Sequence, residues 1–269
     1  MEDDFSLDDI KFDEIINYPI SWWIKSLDED LWWQPKWKYI MLYGWPSTWK
    51  TTLTLQVWIE NTKIWNKVCY LSFEMPKKDF IVQNMRTRAW LKQVWVWEST
   101  TPTINQQQIM KAFVESIKWM DIKWYIKQPS LKEFKDIMES LSFEHYDEII
   151  IDNLWMIWRW DNKDEMQLYW EISAFIKEYV DKTWTTVLIL HHTNKWSEAS
   201  NWKRWFNSFR WNWKIADDCD YVIQLQREFM DNGWTSTTIK VEKDRISGKN
   251  WYSLPLMFEN WVFSWDVFR

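Results

Sequence analysis

Apolar residues in this chain fall in short unbroken runs at 39–43 (YIMLY), 67–73 (KVCYLSF), 148–151 (EIII) and 186–190 (TVLIL). Runs of this length, bounded by turn-forming residues, predict strands buried on both faces. The stretches between them, 51–61, 77–91 and 164–182, read as helices, and 95–135 reads as mostly amphipathic helix broken at Pro102 and Pro129. Strand and helix in alternation imply a parallel sheet with helices packed on it. Past a polar, basic, turn-rich stretch at 195–214 the pattern changes. Residues 221–227, 235–242, 252–258 and 262–263 alternate apolar with polar, as antiparallel strands do. The expectation is an α/β domain over 21–269, preceded by an acidic lead-in at 1–20. Its central sheet is mostly parallel and flanked by helices, with antiparallel strands at the C-terminal end.

Composition changes this picture at one point. The chain has 3 Gly and 28 Trp, where average usage would give about 19 glycines at this length. Tryptophan falls where the backbone asks for glycine. Asn250-Trp251 and Asn260-Trp261 sit between strand-like runs, where a two-residue hairpin wants Asn-Gly. Trp65 and Trp184 each follow a helix-like stretch and precede a buried strand, the slot of a glycine just past a helix end. Trp22-Trp23, Trp32-Trp33 and the WNW at 211–213 are flanked by polar residues, where indoles would leave exposed apolar patches. These positions point to a gene whose UGA codons specify glycine and whose displayed translation writes them as tryptophan. The sum 28 + 3 = 31 exceeds average glycine usage, so some tryptophans are expected to be genuine. The competing readings are a truly Trp-rich chain and an aromatic platform stacking single-stranded bases.

A net charge of −6 and a pI near 5.3 argue against a wholesale nucleic-acid coat protein, while leaving room for a local basic groove. Cys69 and Cys219 lie far apart with no CxxC spacing, so neither a disulfide scaffold nor a zinc site is signalled. The acidic start lacks the basic and apolar regions of a signal peptide, and no apolar run approaches membrane-span length. The expectation is a soluble cytoplasmic protein without a membrane partner.

The candidate chemistry begins directly after the first strand. Gly44-Trp45-Pro46-Ser47-Thr48-Trp49-Lys50-Thr51, continued by Thr52, has the G-x4-G-K-[ST] spacing when position 49 is glycine, with a strand before and a helix after. In such a loop the backbone N–H groups and the helix N-terminus cradle the phosphates of ATP. Lys50 reaches the β and γ phosphates, and the Thr51 hydroxyl coordinates Mg²⁺. A side chain at 49 would crowd that approach. Asp152 ends the strand in DEIIIDNL, where a carboxylate would hold the water shell of Mg²⁺ opposite Thr51. Glu74 ends the strand in YLSFEM and could polarise an attacking water as general base. Each carboxylate, taken alone, is commonplace.

Together these residues resemble the RecA superfamily of P-loop ATPases. The lead SWWIKSLDEDLWWQPKWKYIMLYG, with glycines restored, is similar to the glycine-rich approach to the loop in RecA-, RadA- and KaiC-type ATPases. FEM at 73–75 resembles the "SLEM" of DnaB-like replicative helicases, and IIIDNL resembles their "IDYL". HHTNK at 191–195 resembles their "SQLNR", which puts His192 on a γ-phosphate-sensing glutamine and marks a departure from the pattern. RWNWKIADDCDYVIQLQRE and VEKDRISGKN are similar to two further motifs of that family. The resemblance, colinear over about 21–265, implies that Glu74 is the catalytic base. It also implies that Lys243 and Arg245 reach a neighbouring subunit's ATP site, Arg245 as arginine finger, in a hexameric ring. It offers no counterpart here of the N-terminal domain through which full-length helicases contact primase.

In this superfamily two loops face a central channel that holds single-stranded DNA. Here they would carry Arg159, and Lys195, Lys203, Arg204 and Arg210, basic groups suited to tracking phosphates without reading sequence. The reading that follows is an ATP- and Mg²⁺-dependent, DnaB-like helicase motor translocating on single-stranded DNA, with a primase or loader among its candidate partners. The alternatives are a RadA- or KaiC-like ATPase of recombination or regulation, and a non-catalytic single-strand binding protein.

Overall fold

A computed structural model describes residues 36–46, 48–63, 66–88, 103–117, 121–125, 128–157, 165–192, 213–229, 235–248, 252–259 and 262–264. Its elements in chain order are β1 Tyr39–Gly44, α1 Lys50–Lys63, β2 Val68–Ser72, α2 Lys77–Arg88, α3 Ile104–Ile117, β3 Asp121–Trp124, α4 Leu131–Ser142 and β4 Glu148–Asp152. There follow α5 Glu165–Thr183, β5 Thr186–His192, a short α6 Trp213–Asp218, β6 Tyr221–Phe229, β7 Thr235–Asp244, β8 Tyr252–Glu259 and β9 Val262–Ser264.

The nine strands form one sheet in the order β3-β2-β4-β5-β1-β6-β7-β8-β9. From β3 to β6 every pairing is parallel, and from β6 to β9 every pairing is antiparallel. This is the expected mostly parallel sheet with an antiparallel C-terminal end. β6 has a double character, pairing parallel with β1 on one side and antiparallel with β7 on the other.

The period-two alternation of β1 explains why both faces are covered. Tyr39, Met41 and Tyr43 pack with Ile149, Ile151, Val187 and Ile189 against the buried stripes of α4 and α5. Ile40 and Leu42 pack with Tyr70, Ile150 and Leu188 against Leu53, Val57 and Trp58 of α1 and Phe80 of α2. A strand sandwiched this way is apolar through its middle, and β1, β2 and β4 are buried throughout.

Within 95–135 the structure differs from the helical expectation. Residues 121–124 form β3, the edge strand beside β2. Four residues of sequence DIKW, two of them charged, carry too weak a pattern to stand out from a helix. α4, of which the helical reading reached only residues 131–135, begins with a capping box: the Ser130 side chain accepts from Glu133 N while Glu133 accepts from Ser130 N. Among the described residues no helix is long and apolar enough to cross a membrane.

Candidate nucleotide site

The site lies at the C-terminal ends of the parallel strands, where open α/β sheets bind ligands. β1 ends at Gly44, the chain turns through Trp45 and Pro46, and α1 starts at Lys50. Thr48 N and Thr48 Oγ1 both donate to Trp45 O, at 3.3 and 2.8 Å. Thr52, one position past the loop's Lys-Thr pair, is buried in the first turn of α1. A Cβ on Gly44 would lie 2.4 Å from Leu225 O on β6, so this position excludes any side chain. Trp49 adopts φ 66°, in the left-handed region, and its ring lies under the Arg227 guanidinium, 5.0 Å from the centroid.

Lys50, only 5 % exposed, turns its ammonium back onto the loop, donating to Gly44 O at 2.9 Å and Trp45 O at 2.7 Å. Burial pushes its pKa down to about 8, against the opposing pull of Asp152 and Glu74. Its Nζ also lies 3.1 Å from His192 Nδ1. An ammonium has no acceptor, so Nδ1 accepts and the ring proton sits on Nε2. That nitrogen donates to Glu74 Oε2 at 3.4 Å. Asn153 Nδ2 itself donates to Glu74 Oε2. Glu74 is thus met by two N–H donors, and its hydrogen bond with His192 is the main cause holding its carboxyl below the usual range, against the upward push of burial.

Asp152 ends β4 beside α1. Its Oδ2 accepts from Thr51 Oγ1 at 3.0 Å and from Tyr70 OH at 2.7 Å, and burial raises its pKa. A buried carboxylate whose hydrogen bonds come from neutral hydroxyls, adjacent to a threonine hydroxyl, is a hard-oxygen donor set of the kind that suits Mg²⁺.

The structure therefore brings together Gly44, Lys50, Thr51, Glu74, Asp152 and His192, at or next to the ends of β1, α1, β2, β4 and β5. Ser47, Arg159, Lys195, Lys203, Arg204 and Arg210 lie outside the described residues. Lys243 and Arg245 are elsewhere. Lys243 Nζ donates to Ala216 O and Asp217 O at 2.7 and 2.8 Å. Arg245 donates to Asp217 O at 2.6 Å and to Asp220 Oδ1 at 3.2 Å. Gly44 is level with Leu225 of β6, whereas Asp244 is level with Tyr221. At about 3.3 Å per residue, Arg245 is displaced by about 17 Å toward the opposite end of the sheet. Two residues of the site escaped the sequence reading: Tyr70 and Asn153.

A doubly covered sheet with a lysine-bearing loop between β1 and α1 and a carboxylate on β4 defines a P-loop ATPase of RecA-like fold. The family comparison agrees: the family model described as "AAA domain" matches residues 11–198, and the chain belongs to that family. Among solved structures it is similar to one described as an ATPase domain, with TM-score 0.76, 16% identity and coverage of 92% of this chain and 91% of that one. It is also similar to a DnaB-like replicative helicase whose interactions with primase were determined, with TM-score 0.76 and 17% identity. The match covers 92% of this chain and 62% of that helicase, so this chain spans less than two thirds of its length. No curated protein matches the chain.

Proposed function

We propose that this chain is a DnaB-like helicase motor that hydrolyses ATP to move along single-stranded DNA in the cytoplasm, working as a hexameric ring. One observation carries the reading: Lys50, Thr51, Asp152, Glu74 and His192 converge on one end of the sheet while Arg245 lies about 17 Å toward the other. An arginine so placed is out of reach of its own phosphate loop and suits a finger entering a neighbour's site. In this reading Lys50 leaves the loop carbonyls for the ATP phosphates, and Thr51 and Asp152 hold Mg²⁺. Bound Mg²⁺ would neutralise charge on the β and γ phosphates. Glu74 orients and deprotonates the attacking water. His192, in contact with both Lys50 and Glu74, links occupancy of the loop to the base. Single-stranded DNA would be tracked by Arg159, Lys195, Lys203, Arg204 and Arg210, and primase or a loader would dock from outside the motor.

The same reading takes positions 37, 49 and 184 as glycine in the protein made by its own host. Of the four non-glycine residues with φ > 0 among the described residues, three are Trp37, Trp49 and Trp184, and the other is His145. Bulky side chains are rare in that region. Trp184 N donates to Val180 O at 3.0 Å, the bond of a left-handed helix cap that favours glycine. Trp58 is different, being fully buried within α1 and free of positive φ. Left-handed tryptophans in a loop and a helix cap do not suit a base-stacking platform, which needs indoles along one groove.

Peptide mass mapping of the host-purified protein across residue 49, followed by ATPase and strand-displacement assays on the chain with glycine there, tests the proposal. The expected results are glycine at 49, ATPase activity stimulated by single-stranded DNA, and strand displacement. Stimulated hydrolysis without displacement would favour a RadA- or KaiC-like ATPase. Tryptophan at 49 would remove the phosphate-loop argument.

A further inference from the structure

Asp152 is held from a side that the phosphate loop does not supply. Tyr70 lies in the middle of β2, a strand whose five residues VCYLS are all buried. Its ring packs edge-on against Trp58 and Phe80, with centroids 5.8 and 5.2 Å away. Phenylalanine would fill this space equally well, so packing does not call for the hydroxyl. Burying a hydroxyl without a partner is costly, and this one is satisfied by Asp152 Oδ2 at 2.7 Å, with Thr54 Oγ1 at 3.5 Å. The reach is diagonal: Tyr70 is level with Ile150 and Ser72 with Asp152, so the phenol spans two positions along the neighbouring strand. Thr51 Oγ1 donates to the same oxygen at 3.0 Å. Two hydroxyls on Oδ2 fix the rotation of the carboxylate about its last bond and leave Oδ1 bearing neither of them.

We infer that Tyr70 is a positioning residue for metal binding, locking the Asp152 carboxylate so that Oδ1 is presented to the hydration shell of Mg²⁺. The inference rests on the reading of Asp152 as the metal-site carboxylate given above. Partners that orient a ligand from behind tune metal affinity by about 10- to 100-fold when removed.

The test uses the full chain with glycine at 49 and a fluorescent ADP analogue, titrated with Mg²⁺ and separately in EDTA. In the parent, Mg²⁺ tightens nucleotide binding, and Asp152→Asn loses that response. Tyr70→Phe is expected to raise the half-saturating Mg²⁺ concentration about tenfold, with affinity in EDTA and melting temperature close to parental. Placing 4-aminophenylalanine at 70, which restores a donor on the same ring, is expected to recover the parental Mg²⁺ requirement. An unchanged Mg²⁺ requirement in Tyr70→Phe overturns the inference while leaving the metal site intact. So does equal weakening with and without Mg²⁺, the mark of a merely structural role. A parent with no Mg²⁺ response overturns the metal-site reading itself, and this inference with it. Should loss of the hydroxyl unfold the chain, 3-fluorotyrosine, a stronger donor of nearly the same size, carries the test: a shifted Mg²⁺ requirement supports the inference and an unshifted one overturns it.

Discussion

At the scale of single residues, Gly44 and position 49 favour glycine for different reasons. Gly44 is constrained by space, because the Leu225 carbonyl occupies the place of any Cβ. Gly44→Ala must push β6 away from β1 and is expected to cost about 1–3 kcal/mol, measurable as a lowered urea midpoint at unchanged slope. Position 49 is constrained by its backbone angle. The sequence made both legible through the loop's spacing and its strand-to-helix context, and it marked Asp152 and Glu74 as strand-end acids. Tyr70 and Asn153 were not legible because their roles depend on which strand lies beside which. Tyr70 and Asp152 are 82 positions apart in the chain and meet only through the β2–β4 register.

At the scale of elements, β4 carries a pH-dependent weakness at its first residue. Glu148 is fully buried, its Oε2 accepts from Asn61 Nδ2 at 3.4 Å, and burial pushes its carboxyl up to about 8. An unfolded glutamate titrates near 4.3, so the fold favours the protonated form. That stabilisation is complete below the unfolded value and is lost as pH rises through about 8. Glu148→Gln, neutral throughout, should match the parent near pH 4 and exceed it by on the order of 5 kcal/mol near pH 8, as urea unfolding across a pH series would reveal. The element pattern was readable where strands are buried on both faces and where helices are long. It failed at β3, where four residues at a sheet edge need no apolar run. α4 did carry a readable signal, since Ser130 and Glu133 stand in capping-box spacing and Leu131, Phe134, Met138 and Leu141 line one face.

At the scale of the whole molecule, the proposed function gives the sheet two working ends. The loop, the acids and His192 occupy one, and Arg245, tied to Asp217 and Asp220, lies toward the other. If Arg245 completes a neighbour's site, Arg245→Ala should lower kcat about a thousandfold or more with nucleotide affinity little changed. Glu74→Gln should be similarly inactive. Mixing the two inactive proteins before assembly should then restore about one quarter of the parental rate, since head-to-tail contact places some intact bases against intact fingers. Steady-state ATPase measured against mixing ratio checks this, and no recovery would place Arg245 outside the active site. The same geometry has a genetic consequence. If Arg245 serves the neighbour's site, an allele altered there spoils a site belonging to the copy beside it, so its harm spreads to healthy subunits and its inheritance should be dominant, deepening with the dose of the altered gene.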